Sequence, residues 1–368
     1  MSYVIVVVGA GGKSTLIENL ADKFAAEDKK VCITTTTHIY KHDDRENVSY
    51  CGTDEGEKLS YPGTEKFSRL CDSYDVVLVE ADGSRHFPIK IPASYEPVIP
   101  SNVDEIFVVM GLHAIGRPIS EVCQRFPDLD DNTLVNASII DDIAQAHYVK
   151  PLSEKFPSVA INYVRNDFIA DKNLSGKHVA LVLMASGSSQ RFGDENKLLH
   201  KINGRELFRY GLDALLTAKE ILKSHEINAK IFMTGGNISG YNDVEIIDNP
   251  DRLEGIAGSI RHGTEAAMKN NCDAVLFLAG DQPNFPAEDI ARLVREFLCS
   301  GKSYGCAFSN HPANPGIFAA SVYPELLSLT GDKGALRIIK QHPQQTHYYV
   351  VKPEKLLDID TLADIDNF

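Results

Sequence analysis

The chain has 368 residues, which is long for one hydrophobic core and suits two α/β domains of about 150 to 200 residues each. Hydrophobic residues make up 43% of the chain and charged residues 24%, as in ordinary globular proteins. The formal net charge is −14 and no run of lysine or arginine occurs, which argues against a general nucleic-acid-binding surface and requires local basic loops for anionic ligands.

Cysteine usage and hydropathy indicate the compartment. The seven cysteines form no CxxC pair and no framework spacing, and the N terminus does not read as a secretory signal, which favours a reduced cytoplasm. The longest apolar run, Tyr3 to Val8, is far shorter than the roughly 20 residues that span a bilayer. We therefore expect a cytoplasmic protein with no membrane partner.

The first candidate site is a glycine-rich loop between a predicted strand (4–8) and a helix that runs to about Asp28. In a loop of this kind the helix amides bind a phosphate, Lys13 contacts the outer phosphates, and Ser14 holds Mg²⁺. Val7 stands where the standard P-loop has a glycine, so the pattern is a shortened GxxGKS loop like that of the Mur ligases. The alternative is a glycine turn that only joins strand to helix. The predicted nucleotide-binding residues are Gly9, Gly11, Gly12, Lys13, Ser14 and Thr15.

Two later strands end in polar residues that belong at the same sheet edge. The strand within 75–85 ends in Glu80 and Asp82, which a parallel sheet places beside the phosphates to hold Mg²⁺ or orient water. The strand at 31–37 ends in Thr34 to Thr37, followed by His38. The alternatives are that Asp82-Gly83 is only a turn and that the threonines are only good strand formers.

The remainder of this half predicts a proline-punctuated loop at 91–101, a strand at 105–112, a short amphipathic helix at 138–147 and a last strand at 159–163. The polar stretch 171–177 then reads as a linker. We expect an N-terminal nucleotide-binding domain over 1–170 and a second domain over 178–368.

The motifs VGAGGKST, TTTTH, VEADGSR and EPVIP, in that order, resemble the YqeC-type family of accessory proteins of selenium-dependent molybdenum hydroxylases. The resemblance covers about residues 1–165 and implies a pathway more firmly than a reaction. The family commonly carries a His-Arg pair after the MGLxAxGxP segment. This chain has Cys123-Gln124-Arg125 there, so only Arg125 carries over.

The second candidate site opens the C-terminal half. A buried strand (179–184) runs directly into a loop of small residues that contains Gly187, Arg191 and Gly193, with Lys197 beyond it. The amides of such a loop close around phosphate, Arg191 forks onto phosphate oxygens, and Lys197 adds a compact charge. The layout indicates a triphosphate whose phosphates react.

Further elements supply carboxylates for a metal. A long amphipathic helix (205–225) and a strand (230–236) are followed by a second helix that Ser259 opens toward the ligand. The buried strand within 272–283 ends in Asp281, a natural Mg²⁺ ligand at the end of a central strand, although an isolated Gly-Asp is more often a turn. Asp358 and Asp360 point the same way from an extended segment, so one of them completes a metal site with Asp281, or Asp360 or Thr361 caps a helix.

The series LMASGSSQRFGDENKLL, NPDRLEGIAGSIRHG, LAGDQP, NPGIF, GDKGA and DIDT resembles the molybdopterin cytidylyltransferases over residues 178–368. The resemblance implies that Arg191 and Lys197 neutralise the triphosphate and that Asp281 binds Mg²⁺ together with Asp358 or Asp360. The chain departs from the family in having Met184-Ala185-Ser186 where Ala-Ala is usual and in an acidic Asp194-Glu195 insertion before Lys197. The implied nucleotide-binding loop residues are Ala185, Ser186, Gly187, Ser188 and Gly193.

Together these features predict two three-layer α/β/α Rossmann-like domains, the first P-loop-like and the second like the nucleotide-diphospho-sugar transferases. We expect transfer of CMP from CTP to molybdenum-bound molybdopterin with release of pyrophosphate, with Arg191, Lys197 and Asp281 as catalytic residues. The first domain is expected to bind ATP or a related nucleotide and to serve a molybdenum hydroxylase apoprotein. The alternatives are a nucleotide-gated chaperone for cofactor insertion and a nucleotidyltransferase that uses GTP or another small phosphate.

Overall fold

The computed structural model describes residues 2–126, 129–167, 174–186, 197–235, 243–250, 255–332, 334–361 and 364. The chain divides into two compact units, Met1–Asp167 and Phe168–Phe368. Each unit is built around a sheet that is wholly or mainly parallel, with helices on both faces. The predicted α/β class is confirmed.

The first unit has eleven strands and five α-helices within the described residues. Its strands are β1 (Tyr3–Gly9), β2 (Val31–Thr35), β3 (His38–Tyr40), β4 (Val48–Tyr50), β5 (Thr53–Glu55), β6 (Lys58–Ser60), β7 (Val76–Glu80), β8 (Ile89–Lys90), β9 (Glu105–Gly111), β10 (Cys123–Gln124) and β11 (Ala160–Asn166). Its helices are α1 (Lys13–Ala25), α2 (Thr64–Ser73), α3 (Ile119–Val122), α4 (Ala137–Ala144) and α5 (Lys150–Lys155). A π-helical segment, Gln145–Val149, joins α4 to α5, so the helix predicted at 138–147 is one part of a longer helical stretch.

The main sheet of this unit has the strand order β11-β9-β1-β7-β2-β4, and every pair in it is parallel. The central strands are nearly continuous aliphatic runs because both of their faces are buried. Ile5 packs with Ile17 of α1 on one face, and Val6 packs with Tyr148 on the other. The carboxyl ends of β1, β7 and β2 therefore meet at one edge, where the first candidate site lies.

The second unit has the strands β12 (His178–Met184), β13 (Lys201–Ile202), β14 (Arg205–Glu206), β15 (Asn228–Thr234), β16 (Val244–Ile247), β17 (Ala274–Ala279), β18 (Tyr304–Ser309), β19 (His311–Ala319) and β20 (Thr346–Val350). Its helices are α6 (Leu207–Ser224), α7 (Ile256–Lys269), α8 (Ala287–Ser300), α9 (Tyr323–Leu327) and α10 (Leu336–Gln341). The sheet order is β16-β15-β12-β17-β19-β18-β20, with only β19 antiparallel to its neighbours.

The helices of the second unit cover the two faces of its sheet. Leu215 of α6 and Ile290 of α8 belong to the core on one face, and Ile260 of α7 and Ile338 of α10 belong to the core on the other. The parallel strands β12 and β17 thus end side by side at the edge of the second candidate site. In the described part of the chain, no helix combines the length and the apolar character that crossing a bilayer would demand.

Candidate nucleotide-binding sites

The glycine-rich loop of the first unit has a backbone that only glycine fits. Gly11 and Gly12 have φ of 72° and 134°, in the region that favours glycine. A Cβ on Gly11 would lie 2.3 Å from the Pro88 carbonyl oxygen, and one on Gly12 would lie 2.1 Å from Asn166 Nδ2. Asn166 Nδ2 donates to the Gly11 carbonyl at 2.7 Å. The glycines therefore serve a close approach of β11 and the segment at Pro88 to the loop.

The amides of this loop fall into two groups. Those of Gly9 and Ala10 are bonded within the protein, to Asp82 and to the Val109 carbonyl. Across the described ranges, no acceptor is bonded to the amides of residues 11–15, which surround the N terminus of α1. A run of amides at a helix N terminus is a ready anion site. The amides of residues 11–15 are therefore available to an anion, and phosphate binding by this loop stays a prediction.

Lys13 and Ser14 both face the end of β7. Lys13 is only 3% exposed, and its Nζ donates to the Gly9 carbonyl at 2.8 Å. Ser14 Oγ donates to Glu80 Oε2 at 3.2 Å, and Lys13 Nζ lies 3.9 Å from Glu80 Oε1. Burial raises the pKa of Glu80, the charge of Asp82 adds to this, and Lys13 opposes it. Ser14 and Glu80 thus form a pair of oxygen donors of the kind that Mg²⁺ takes beside phosphates.

Asp82 is wholly buried, and both of its carboxylate oxygens contact protein groups. Both of its carboxylate oxygens accept from the Gly9 amide at 3.1 Å, and Oδ2 also accepts from the Tyr148 hydroxyl at 2.8 Å. Lys13 Nζ lies 3.4 Å from Oδ1, and Lys90 Nζ lies 3.4 Å from Oδ2. This geometry favours a positioning role, in which Asp82 holds the loop backbone, over the direct metal ligation that we expected.

Lys90 lies among charged side chains. Lys90 Nζ donates to the Gly83 carbonyl at 2.6 Å and to Glu96 Oε2 at 3.0 Å. The same Glu96 oxygen accepts from Arg125 Nη2 at 2.6 Å. Hydrogen bonds and the neighbouring cations outweigh partial burial and lower the pKa of Glu96. Arg125, the residue carried over from the YqeC-type motif, therefore orders the loop after β8.

Of the four threonines at 34–37, only the first two belong to β2. Thr35 Oγ1 donates to the Glu80 carbonyl at 2.8 Å and accepts from the Thr37 amide at 2.9 Å, which ends β2 two residues earlier than expected. Thr36 Oγ1 donates to the Val98 carbonyl. His38 begins β3, and its Nε2 lies 3.2 Å from Glu55 Oε2 in the small three-stranded sheet. The imidazole is therefore paired within that sheet.

In the second unit, residues from three elements meet after β12. Asn249 Nδ2 donates to Ser186 Oγ and to Ser259 Oγ, both at 3.1 Å, and the two serine hydroxyls are 3.1 Å apart. The Ala185 amide donates to the Thr234 carbonyl at 3.0 Å. Asn249 is 2% exposed, and its Oδ1 has no partner within the described ranges. Ser186 and Ser259, both predicted to bind the nucleotide, thus lie in contact, and their binding role stays a prediction. The expected ligands Gly187, Ser188, Arg191 and Gly193 lie outside the described residues.

Lys197 lies between two carboxylates at the end of β17. Its Nζ is 2.7 Å from Asp281 Oδ2 and 3.0 Å from Asp360 Oδ1. Partial burial works against its charge, but the hydrogen bonds to Asp281 and Asp360 raise the pKa of Lys197. The Ile359 amide donates to the Asp281 carbonyl at 3.0 Å, which places the C-terminal segment beside β17. Asp281 and Asp360 thus both contact Lys197, and their role as a metal pair stays a prediction.

Asp358 lies on the same segment, near enough to Asp281 for their charges to interact. Partial desolvation of its carboxyl and the charges of Asp281 and Asp360 raise the pKa of Asp358 to about 6, although part of the residue reaches solvent. A hydrogen bond from Gln282 and the charge of Lys197 oppose this shift. Gln282 is 4% exposed, and within the described residues its Oε1 has no partner.

The residues at this edge fit a divalent cation that nucleotide phosphates help to hold. Mg²⁺ commonly takes one or two carboxylates together with phosphate oxygens and waters. In the described part of the chain, no three or more His, Cys, Asp or Glu side chains are arranged to hold a metal by themselves. Asp281 and Asp360 point at one cationic position, which the Lys197 ammonium takes.

Sequence reasoning missed several residues of both sites. Asn249 comes two residues after β16, and Gln282 follows Asp281 at the end of β17, so position after a strand was an available signal for both. Tyr148 and Asn166 carry no local signal, because their roles depend on partners that are distant in the chain. The contact between Tyr148 and Asp82, for example, spans 66 residues.

Family models match both units. Residues 5–127 match the YqeC protein family. Residues 181–346 match the MobA-like NTP transferase domain. The chain therefore carries a YqeC domain in its first half and a MobA-like NTP transferase domain in its second, as the sequence motifs predicted.

Curated relatives match each half separately. A protein of Escherichia coli K12 named YqeC is 33% identical over 155 residues, which are 35% of this chain and 60% of that protein. The chain thus spans less than two thirds of this relative. A molybdenum cofactor guanylyltransferase of Shewanella putrefaciens is 21% identical over 196 residues, which are 52% of this chain and 96% of that protein. Among solved structures, Rv0371c of Mycobacterium tuberculosis has a TM-score of 0.43 and 20% identity, covering 52% of this chain and 97% of its own.

Proposed function

We propose, for a chain that joins a YqeC domain to a MobA-like NTP transferase domain, that the second unit transfers CMP from CTP to molybdenum-bound molybdopterin. The observation that carries this proposal is the meeting of Lys197, Asp281 and Asp360 at the edge where β12 and β17 end. A nucleotidyltransferase requires cations for the triphosphate and carboxylates for a metal at one place, and these residues supply both.

The reaction is an in-line displacement at the α-phosphorus of the nucleotide. An oxygen of the terminal phosphate of molybdopterin forms a bond to the α-phosphorus, the bond from that phosphorus to the β-phosphate bridging oxygen breaks, and pyrophosphate leaves. No protein nucleophile is required. Asp281 with Asp360 or Asp358 would hold Mg²⁺, which when bound supplies positive charge to the transferring and leaving phosphates.

The side chains of this unit would bind and orient the nucleotide. Lys197 supplies a compact positive charge to the phosphates, and Arg191, in the loop after Ser186, is assigned the same task by the sequence motif. The Asn249 carboxamide oxygen, buried and without a partner in the described structure, is an acceptor for a donor group of the ligand. Ser186 and Ser259 hold that carboxamide in place.

The choice of CTP is supported by the likeness of the whole motif series over residues 178–368 to the cytidylyltransferases, whereas the curated relatives of this half include a molybdenum cofactor guanylyltransferase. The test is pyrophosphate release by the purified protein with Mg²⁺, molybdenum-bound molybdopterin and each of CTP, GTP and ATP. We expect release with CTP at least tenfold faster than with GTP or ATP. Faster release with GTP would overturn the base assignment, and no release with any nucleotide would overturn the transferase assignment.

We propose that the first unit binds ATP or a related nucleotide at the loop 9–15 and that its nucleotide state serves delivery of the cofactor to a molybdenum hydroxylase apoprotein. The amides of residues 11–15 would take the phosphates, with Lys13 beside them. Ser14 and Glu80 would hold Mg²⁺. A hydroxylase as the partner rests on the resemblance to the YqeC-type family.

Lys13→Ala is expected to weaken ATP binding by this unit about 10- to 100-fold, because one charge-assisted contact to phosphate contributes about 1.5–3 kcal/mol. Isothermal titration of the whole chain with a non-hydrolysable ATP analogue measures the change. Lys29→Ala, an exposed lysine after the far end of α1, is the matched control and should bind as the wild type does. Equal affinities for all three proteins would count against this nucleotide site.

A further inference from the structure

The ammonium of Lys197 has the position that a cation of the catalytic site would need. It lies within 3.0 Å of one oxygen from each of Asp281 and Asp360, and its side chain is only 15% exposed. The ammonium and its partners come from distant parts of the chain, since Lys197 and Asp360 are 163 residues apart. The contact therefore depends on the tertiary fold, because an ion pair within one helix joins residues only three or four positions apart.

We propose that Lys197 closes the metal site of the nucleotide-free enzyme, so that a divalent cation enters the Asp281 and Asp360 cluster only together with a nucleoside triphosphate. This inference rests on the proposed nucleotidyl transfer, and it adds the order in which metal and nucleotide bind. Lys197 has two alternative partners, the carboxylates in one state and the phosphates in the other.

The charge balance of the cluster explains the order. Asp281, Asp358 and Asp360 bring carboxyl groups to one region, and among the described residues Lys197 is the cation that lies within 4 Å of two of them. A divalent cation entering this arrangement meets the ammonium at close range, which is unfavourable in a partly buried site. A triphosphate offers Lys197 a more highly charged anionic partner. When Lys197 moves to the triphosphate, it leaves Asp281 and Asp360 without their cation, and these carboxylates then require a new one.

Gln282 supplies a second observation that points to a ligand. Its side chain hydrogen-bonds to Asp358, while its buried Oε1 has no partner within the described ranges. A buried amide oxygen without a partner is costly unless a ligand, water or ion satisfies it. Oxygen ligands of this kind suit Mg²⁺ and Mn²⁺.

The test measures metal binding without turnover. Mn²⁺ is titrated into the full-length protein and free Mn²⁺ is followed by electron paramagnetic resonance, with no nucleotide present. We expect Lys197→Met, which keeps the length of the side chain and removes its charge, to bind Mn²⁺ at least tenfold more tightly than the wild type. Lys223→Met, at an exposed lysine of α6, is the matched control and should match the wild type.

A double variant assigns the signal to the cluster. Lys197→Met combined with Asp281→Asn should lose the gain in Mn²⁺ affinity, which separates this site from any metal held by the first unit. Wild-type protein with α,β-methylene-CTP, corrected for Mn²⁺ bound by the free nucleotide, should show an additional bound Mn²⁺. Far-ultraviolet circular dichroism checks that each variant is folded.

Two results would overturn the inference. One is tight Mn²⁺ binding at Asp281 in the nucleotide-free wild type, and the other is no gain in affinity for a folded Lys197→Met protein. Failure of the proposed function has a different signature, namely no pyrophosphate from any nucleotide. If that failure accompanies the expected Mn²⁺ pattern, the closed metal site stands and the substrate assignment falls.

Discussion

Asp281→Asn is expected to lower pyrophosphate release from CTP by about 1000-fold or more. The substitution keeps the shape of the side chain but removes the carboxylate that pairs with Lys197 and would hold Mg²⁺ against the phosphates. Electrostatic stabilisation by such a metal contributes several kcal/mol to a barrier, and each 1.36 kcal/mol is a factor of ten in rate. The measurement is the initial rate of pyrophosphate release at saturating Mg²⁺ and molybdenum-bound molybdopterin.

The fold should survive this substitution. The hydrogen bond that joins Asp281 to the C-terminal segment uses its backbone carbonyl, which accepts from the Ile359 amide. Glu220→Gln is the matched control, because it also neutralises one carboxylate but lies exposed on α6 beside Lys223. An Asp281→Asn protein that releases pyrophosphate as fast as the Glu220→Gln protein would exclude the assigned role of Asp281.

Lys90→Met is expected to reduce the free energy of unfolding of the first unit by about 3–5 kcal/mol. Lys90 is wholly buried between Asp82 and Glu96, with Nζ to oxygen distances of 3.4 and 3.0 Å. Removing one partner of a buried ion pair leaves an uncompensated charge out of water, which is the origin of a cost of this size. Urea-induced unfolding followed by far-ultraviolet circular dichroism measures the change in the transition of this unit.

Lys41→Met is the matched control for Lys90. Lys41 pairs with Asp54 in the same unit, but both side chains are about half exposed, so this ion pair contributes at most about 1 kcal/mol. Since Asp82 also holds the Gly9 amide, Lys90→Met should weaken binding of a nucleotide to the loop as well. Equal stability of the two variants would mean that the buried charges find other compensation.

Local patterns in the sequence determined the elements and the residue types at both sites. Aliphatic runs such as Val4 to Val8 predict buried parallel strands, because both faces of a central strand lie under helices. The glycines before Lys13 predict a loop in which the backbone approaches its neighbours closely. The placement of Glu80 and Asp281 at strand ends follows from the same reading. These inferences depend on residues a few positions apart, which a single sequence contains in full.

The tertiary structure decided which side chains meet. From its position after β7, Asp82 is predicted to be a metal ligand. In the structure Tyr148 and Lys90 pack around its carboxylate, which favours a role in supporting the loop. His38 follows a strand end and yet pairs within a separate small sheet. The choice among alternative polar partners depends on burial and on distances between segments far apart in the chain.

The cluster of Lys197, Asp281 and Asp360 illustrates what the sequence and the tertiary structure each contribute. The sequence by itself predicts that Lys197 and Asp281 belong to one nucleotide site together with Asp358 or Asp360, because each follows or flanks a motif of the series. Only the tertiary structure placed the lysine between the two aspartates, since that contact depends on how the C-terminal segment packs beside β17. Local sequence patterns determine which helices and strands form, whereas the close packing of distant segments determines which charges neutralise one another.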